Sequence, residues 1–369
     1  MLQSPPAEPG MSVDEVDTPA LIVDLDAFVA NLDKMAALAA ATGVKLRPHA
    51  KTHKSPVIAH MQMARGAVGQ CVQKVAEAEI LAWGGVPDIL VSNEVVSPRK
   101  LARLASLTSF SKIAVCADDL RGIDLIEVAA RNAGVRLTVL VEIDVGAGRC
   151  GVAPGPEAVA FAKRIAESPH LRFGGLQAYH GGAQHQRTLE ERSASINSAA
   201  QKTQGVVDDL KRAGLDCAIV GGAGTGTFAL EAASGVFTEL QVGSYAFMDA
   251  DYGRNHPAPP FLNSLFVLST VMSAPRAGLA VVDAGHKAVA VDSGLPLVWK
   301  RPGVSYVGAS DEHGNLSLTS DAEPIKVGER VMLVPGHCDP TVDRYDWYVG
   351  IRKNRVESLW PVAARGALA

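Results

Sequence analysis

Between Val44 and Val242, short apolar runs rich in β-branched residues alternate with longer stretches whose apolar positions return every three or four residues. The runs are Val44–Leu46, Ala67–Val72, Ile89–Val91, Ile113–Cys116, Arg136–Ile143, Phe173–Ala178, Ala218–Val220 and Leu240–Val242, and each predicts a buried strand. Stretches between them, such as Pro98–Leu107, Leu120–Ala133, Pro156–Glu167 and Thr188–Ala213, predict helices. Strand and helix in alternation mean βα units on a parallel sheet, and eight such units close into a (β/α)8 TIM-type barrel, an open doubly wound sheet being the rival. An earlier apolar run, Ala20–Val23, precedes the helical stretch Leu25–Ala41 and would make a ninth strand, so it is assigned outside the barrel.

Near residue 255 the pattern changes. His256-Pro257-Ala258-Pro259-Pro260 breaks any helix, and Leu265–Ser273, Leu279–Asp283, Val304–Val307, Leu316–Leu318 and Arg330–Val334 follow as strand-like runs separated by turn residues. The fold class is thus α/β: a barrel over residues 24–255, and a smaller mostly-β domain formed by 256–369 together with 16–23. Residues 1–15 read as a flexible lead-in, with no apolar core that would make a signal peptide or membrane anchor.

Composition narrows the function. The 369 residues are 47% hydrophobic and 20% charged, with a net charge of −4, so neither nucleic acid nor a membrane is expected as partner. Five cysteines without paired spacing suggest reduced thiols and hence the cytoplasm.

Residues with chemical potential fall just after the predicted strands, the rim on which barrel enzymes carry their sites. Lys51 stands in Arg47-Pro48-His49-Ala50-Lys51-Thr52-His53-Lys54, where His49, His53 and Lys54 are expected to lower its amine pKa and favour Schiff-base chemistry. A solvated basic loop is the alternative. Arg149, between glycines after the fifth strand, is permanently charged and suited to a phenolate or carboxylate, or else to a salt bridge with Asp144 or Glu142. Tyr179, His180 and His185 follow the sixth strand and offer an aromatic ring and two imidazoles. The glycine-rich run Gly221–Thr227, which contains Gly222, Gly224 and Thr225, lets backbone amides approach an anion, and Gly243-Ser244-Tyr245 makes a second turn after the eighth strand. In Gly336-His337-Cys338-Asp339-Pro340, a continued extended chain places His337 and Asp339 on one side, about 6.6 Å apart, with Cys338 turned away. An imidazole and a carboxylate suit Mn²⁺, Co²⁺ or Zn²⁺.

Thr18-Pro19-Ala20-Leu21, the Arg47–Lys54 segment, Gly148-Arg149-Cys150-Gly151, Gly221–Thr227 and His337-Cys338-Asp339 together resemble the D-threonine aldolase family. That family has an alanine racemase-like barrel and belongs to the fold type III pyridoxal-phosphate enzymes. The resemblance implies that Lys51 carries pyridoxal 5'-phosphate, that Arg149 lies near its phenolate oxygen, and that both glycine turns bind its phosphate. It further implies His337 and Asp339 as ligands of a divalent metal, usually Mn²⁺, and His185 as the base, acting through metal-bound water. A D-β-hydroxy amino acid would be cleaved to glycine and an aldehyde by a homodimer. The related D-serine and D-threo-3-hydroxyaspartate dehydratases commonly have His-x-Cys at the metal site, and Asp339 in place of that Cys favours the aldolase. A racemase using Tyr306 or Tyr345, and a non-catalytic cofactor carrier, are further alternatives. Asp311 and His313 are polar candidates to face the pyridine nitrogen.

Overall fold

The computed structural model describes residues 3–369. Strand β1 (Ala20–Asp24) runs directly into helix α1 (Leu25–Thr42), because the Asp24 side chain caps the helix by accepting from the amides of Asp26 and Ala27. Gly43, at φ +72°, ends α1 in the left-handed conformation that lets the chain reverse.

The barrel strands follow: β2 (Lys45–Leu46), β3 (Gln70–Val72), β4 (Asp88–Glu94), β5 (Lys112–Ala117), β6 (Leu137–Glu142), β7 (Leu171–Gln177), β8 (Ile219–Gly222) and β9 (Glu239–Leu240). They form one sheet in the order β2-β9-β8-β7-β6-β5-β4-β3, with parallel pairing throughout. The segment after β2 closes the ring against β3: Cys71 donates to Pro48 O at 2.8 Å and Ala50 donates to Cys71 O at 2.8 Å. Helices α2 (Pro56–Met63), α3 (Val75–Trp83), α4 (Pro98–Ser106), α5 (Leu120–Ala133), α6 (Pro156–Ala166), α7 (Leu189–Arg212) and α8 (Phe228–Ala233) connect successive strands. Their apolar faces pack on the outer faces of the strands, while Cys71, Leu90, Ala114, Cys116 and Leu140 form a separate buried cluster from alternate positions of β3 to β6.

The second sheet comprises β1 with β10 (Leu265–Arg276), β11 (Leu279–Val282), β12 (Leu297–Val298), β13 (Val304–Ala309), β14 (Gly314–Leu318), β15 (Arg330–Val334), β16 (Trp347–Arg352) and β17 (Arg355–Pro361). β1 sits between β10, to which it is antiparallel, and β16, to which it is parallel. Strands β12, β16 and β17 lie beyond those expected from the pattern. In β17 the apolar positions are interrupted by Arg355 and Glu357, whereas β16 is a continuous apolar run from Trp347 to Ile351 that was not picked out.

The expected lead-in is not free. Ala7 and Val13 are buried, Gly10 and Val13 donate to Val356 O and Asn354 O, and Trp347 Nε1 donates to Gln3 O at 2.8 Å. Packing against β17 supplies the burial that the segment's own composition does not; Met1 and Leu2 lie outside the described residues. Among the described residues no helix is long and apolar enough to cross a membrane.

Candidate active site

The basic segment after β2 is taken apart by its surroundings. Arg47 is buried and its guanidinium is shared between Glu239, at 2.7 Å, and Asp88, at 2.6 Å. Lys54, held at φ +50°, pairs with Glu77 at 2.8 Å and Asp343 at 3.2 Å. His49 and His53 are buried, and burial pushes both imidazoles down, His53 to about 4, so they are neutral near pH 7. Lys51 is the one cation of the segment in the lining of a cavity of about 270 Å³, and its side chain is 42% exposed.

Lys51 Nζ lies 3.1 Å from Oδ2 of Asp339, which reaches over from the β-rich domain. That carboxylate holds the amine above its ordinary pKa, which corrects the expectation that His49, His53 and Lys54 would lower it. The histidines are neutral and Lys54 is already neutralised by two carboxylates. Against the upward pull of burial, Lys51 and His337 bring Asp339 down to about 2.

The cavity is walled by His49, Gln73, Ser92, Arg149, Gln177, Tyr179, Gly224, Thr225, Gln241, Gly243, Ser244 and Tyr252, among others. Arg149 Cζ stands 5.8 Å from the centre of the Tyr179 ring. Asp144 is occupied by the amides of Gly146 and Gly148, and Glu142 is 3.9 Å from Arg149. Burial and the adjacent Glu94 push Glu142 up to about 9, so near neutral pH it does not neutralise the guanidinium. Arg149 therefore presents its charge to the cavity.

Thr225 Oγ1 is buried without a hydrogen-bond partner, beside Gly224 and facing the Gly243-Ser244 turn across the cavity lining. A Cβ at Gly224 would lie 2.6 Å from Gln184 Oε1, and one at Gly243 would lie 2.4 Å from Thr52 Oγ1, so both positions demand glycine. An orphaned hydroxyl within a cup of glycines fits a phosphate group. Gly222 lies behind the cup against Ala178 and Phe237, outside the cavity lining. The Tyr245 side chain is packed in the core against Phe261, its hydroxyl accepting from Gln62 at 3.1 Å, and does not reach the cavity. His180 also departs from expectation. Its ring packs over Gly146 and accepts from the amide of Ala183 at 3.3 Å, a loop-bracing arrangement.

The expected extended geometry at His337 is not observed. His337 is extended, at φ −145°, but it caps a short helix, α10 in the order that follows α9 (Ala250–Gly253), spanning Cys338–Val342. The amide of Cys338 donates to Asp249 Oδ2 at 3.3 Å, which turns the chain at that point. The turn still leaves His337 Nε2 4.0 Å from Asp339 Oδ2, with Cys338 buried away from them. Asp339 Oδ1 is buried and without a partner. An imidazole nitrogen converging with an unsatisfied carboxylate fits a divalent cation. His337 Nδ1 donates to Asp292 Oδ2 at 2.8 Å, which commits Nε2 to the ligand side.

His185 is half-exposed and outside the cavity lining, stacked at 6.0 Å on Tyr252 of the cavity wall, and its Nδ1 donates to Asp251 Oδ2 at 2.5 Å. Asp251, Arg187, Arg254 and Asp292 are not evident from the sequence. An acid two residues after a buried Asp249 in the loop following β9 is the one available signal for Asp251. Asp311 and His313 are exposed at the β13–β14 hairpin, where Asp311 faces His286 at 2.8 Å, away from the cavity lining. Tyr306 and Tyr345 donate their hydroxyls to Ala284 O and Ala288 O, both at 2.8 Å.

A parallel barrel with one cavity-facing lysine at its rim, an anion cup opposite and a β domain leaning over it defines the alanine racemase-like class of fold type III pyridoxal-phosphate enzymes. Residues 23–251 match the family described as alanine racemase, N-terminal domain, and residues 264–351 match the family described as putative serine dehydratase domain. Within that class the chain belongs to the family of D-threonine and 3-hydroxy-D-aspartate aldolases, carbon–carbon lyases. It is 48% identical to 3-hydroxy-D-aspartate aldolase of Paracoccus denitrificans, over 98% of this chain and 95% of the relative. It is 46% identical to D-threonine aldolase of an Arthrobacter species, over 98% and 96% of the two chains. The crystal structure of D-threonine aldolase from Filomicrobium marinum superposes with a TM-score of 0.98, at 49% identity and full coverage of both chains. D-threo-3-hydroxyaspartate dehydratase of a Delftia species stands further away, at 27% identity over 94% of this chain and 97% of that protein.

Proposed function

We propose that this protein cleaves D-threonine, D-allo-threonine and other D-β-hydroxy amino acids, 3-hydroxy-D-aspartate included, to glycine and an aldehyde. The observation that carries the reading is the meeting of Lys51 with Asp339, which brings a Schiff-base lysine and a metal carboxylate into one cavity. When bound, pyridoxal phosphate and a divalent metal supply an electron sink for the bond broken at Cα and Lewis acidity at the β-hydroxyl.

The chain's own residues do the rest. Lys51 would hold the cofactor, Arg149, beside Tyr179, would supply a cation for its phenolate, and Gly224, Thr225, Gly243 and Ser244 would take its phosphate. His337 and Asp339 hold the metal, with Mn²⁺ the expected ion and Co²⁺ or Zn²⁺ able to replace it. His185, whose Nδ1 is committed to Asp251, keeps Nε2 to accept the β-hydroxyl proton. The same reading includes a homodimer in the cytoplasm, the latter supported by five free cysteines.

The test is product analysis of purified protein with pyridoxal phosphate, Mn²⁺ and either D-threonine or 3-hydroxy-D-aspartate. Glycine with acetaldehyde or glyoxylate is expected. Ammonia with a 2-oxo acid would make the protein a dehydratase, and racemisation alone would make it a racemase.

A further inference from the structure

The hydrogen bonds behind His185 and His337 join into one chain that passes through Arg254. Asp251 accepts from His185 through Oδ2, and its Oδ1 accepts from Arg187 at 2.6 Å and from Arg254 at 2.8 Å. The same Arg254 nitrogen donates to the backbone carbonyl of Ser293 at 2.6 Å. Ser293 follows Asp292, whose Oδ2 accepts from His337 Nδ1 at 2.8 Å and from the Ser293 hydroxyl at 3.0 Å. Arg254 closes helix α9 in the loop after the last barrel strand, whereas Ser293 and Asp292 belong to the β-rich domain.

The guanidinium rests on the Ser293-Gly294 turn. Gly294, at φ +116°, lies against it, and a Cβ there would approach Arg254 Nη1 to 2.9 Å. Without Arg254, Asp251 still has Arg187 and His185 as partners, and no buried carboxylate is orphaned. The backbone bonds from Ala250 N to Pro335 O at 2.9 Å and from Asp251 N to Gly336 O at 3.3 Å remain, and what is lost is the side-chain link from Asp251 to the Asp292-Ser293 loop that holds His337 Nδ1. We propose that Arg254 is a positioning residue that fixes His185 relative to the cation held by His337 and Asp339, so that metal affinity and proton transfer are set together. This rests on the roles given above to those three residues.

The physical basis is that each imidazole has Nδ1 committed to a carboxylate and only Nε2 free, so a shift of either carboxylate moves the working nitrogen. Loss of such a supporting contact lowers metal affinity by roughly 10- to 100-fold, and a displacement of about 1 Å at a reacting group lowers rate by about 100-fold.

The experiment compares holoenzyme of the wild type, Arg254→Ala and Arg254→Lys. Free Mn²⁺ is followed by electron paramagnetic resonance during titration, the bound cofactor by its visible absorption, and kcat and KM for D-threonine are measured at saturating Mn²⁺. For Arg254→Ala the expected result is Mn²⁺ affinity lower by roughly 10-fold or more, kcat lower by roughly 10- to 100-fold at saturating metal, unchanged KM and an unchanged cofactor band. Arg254→Lys recovers part of both losses. Wild-type Mn²⁺ affinity in Arg254→Ala overturns the proposal, whatever happens to kcat, and so does a loss that Arg254→Lys does not recover at all. Failure of the underlying reading is seen separately, as a wild type that binds no Mn²⁺ or a His185→Gln variant of full activity, and it removes the proposal too. Should Arg254→Ala not fold, Arg254→Gln carries the same comparison.

Discussion

Lys51 Nζ and Asp339 Oδ2 meet at 3.1 Å across the boundary between the barrel and the β-rich domain. The carboxylate that reads as a metal ligand is thus also the counter-ion of the free lysine. Cation and ammonium compete for one carboxylate until the lysine is otherwise engaged. Cofactor-free protein is expected to bind Mn²⁺ more weakly than cofactor-loaded protein, by a coupling of roughly 5- to 100-fold, and pyridoxal phosphate to bind more tightly when Mn²⁺ is present. Titration of both forms with Mn²⁺ measures this; equal affinities would mean that the contact does not persist in solution.

The same contact sets the reactivity of the lysine. Because Asp339 is the main cause of the raised Lys51 pKa, Asp339→Asn is expected to lower it. In cofactor-free protein, the pH dependence of Lys51 acetylation, followed by peptide mass, should move to lower pH in the variant. An unmoved profile would contradict the ion pair.

Removing the imidazole of His185 tests its role as base. His185→Gln is expected to lower kcat by roughly 10²- to 10⁴-fold with little change in KM or in the visible cofactor band. Lys51→Ala should instead abolish that band, and Asp339→Ala should keep it while losing Mn²⁺ and activity.

Lys54 carries stability rather than chemistry. Its side chain is 8% exposed between Glu77 and Asp343, and Lys54→Met leaves the buried Glu77 uncompensated. A loss of roughly 3–5 kcal/mol in denaturant unfolding is expected, the range for breaking one side of a buried pair. A cost below about 1 kcal/mol would place the pair at the level of a surface contact.

The buried His53 makes stability depend on pH. Its folded pKa of about 4 lies below the unfolded value, so the unfolded chain takes up the proton first as pH falls. Stability is therefore full above about pH 6.5 and falls by roughly 3 kcal/mol as pH drops to about 4. Protonation would also place a proton on the Nδ1 that accepts from the Ser55 amide at 3.1 Å. Denaturant unfolding of wild type and His53→Gln at pH 7 and pH 4.5 should show a smaller pH dependence in the variant.

Much of the barrel was legible because a parallel strand is buried on both faces and so appears as an unbroken apolar run, as in Leu137–Val141. β17 was not, since its exposed positions Arg355 and Glu357 break the apolar pattern, and β16 was passed over although Trp347–Ile351 is an apolar run. The lead-in was misread for another reason: Val13 is apolar in isolation and buried only because β17 lies beside it. At the site, Lys51 and the His337-x-Asp339 pair stood out as rare residue types in tight local motifs. Tyr245 did not behave as its neighbours Gly243 and Ser244 did, because a one-residue step along the turn rotates the side chain from the cavity into the core.

By itself, then, the chain's pattern determined the alternation of strand and helix and the rim on which the candidate residues fall, and singled out Lys51 as a candidate, since all three depend on near-neighbour spacing. Only the tertiary structure decided the charge state of Lys51, the pairing of Arg47 and Lys54, and the carboxylates Asp251 and Asp292 behind the two histidines. Those are interactions between residues far apart in the chain, and their energies depend on burial and on distances of a few ångströms that no local pattern encodes.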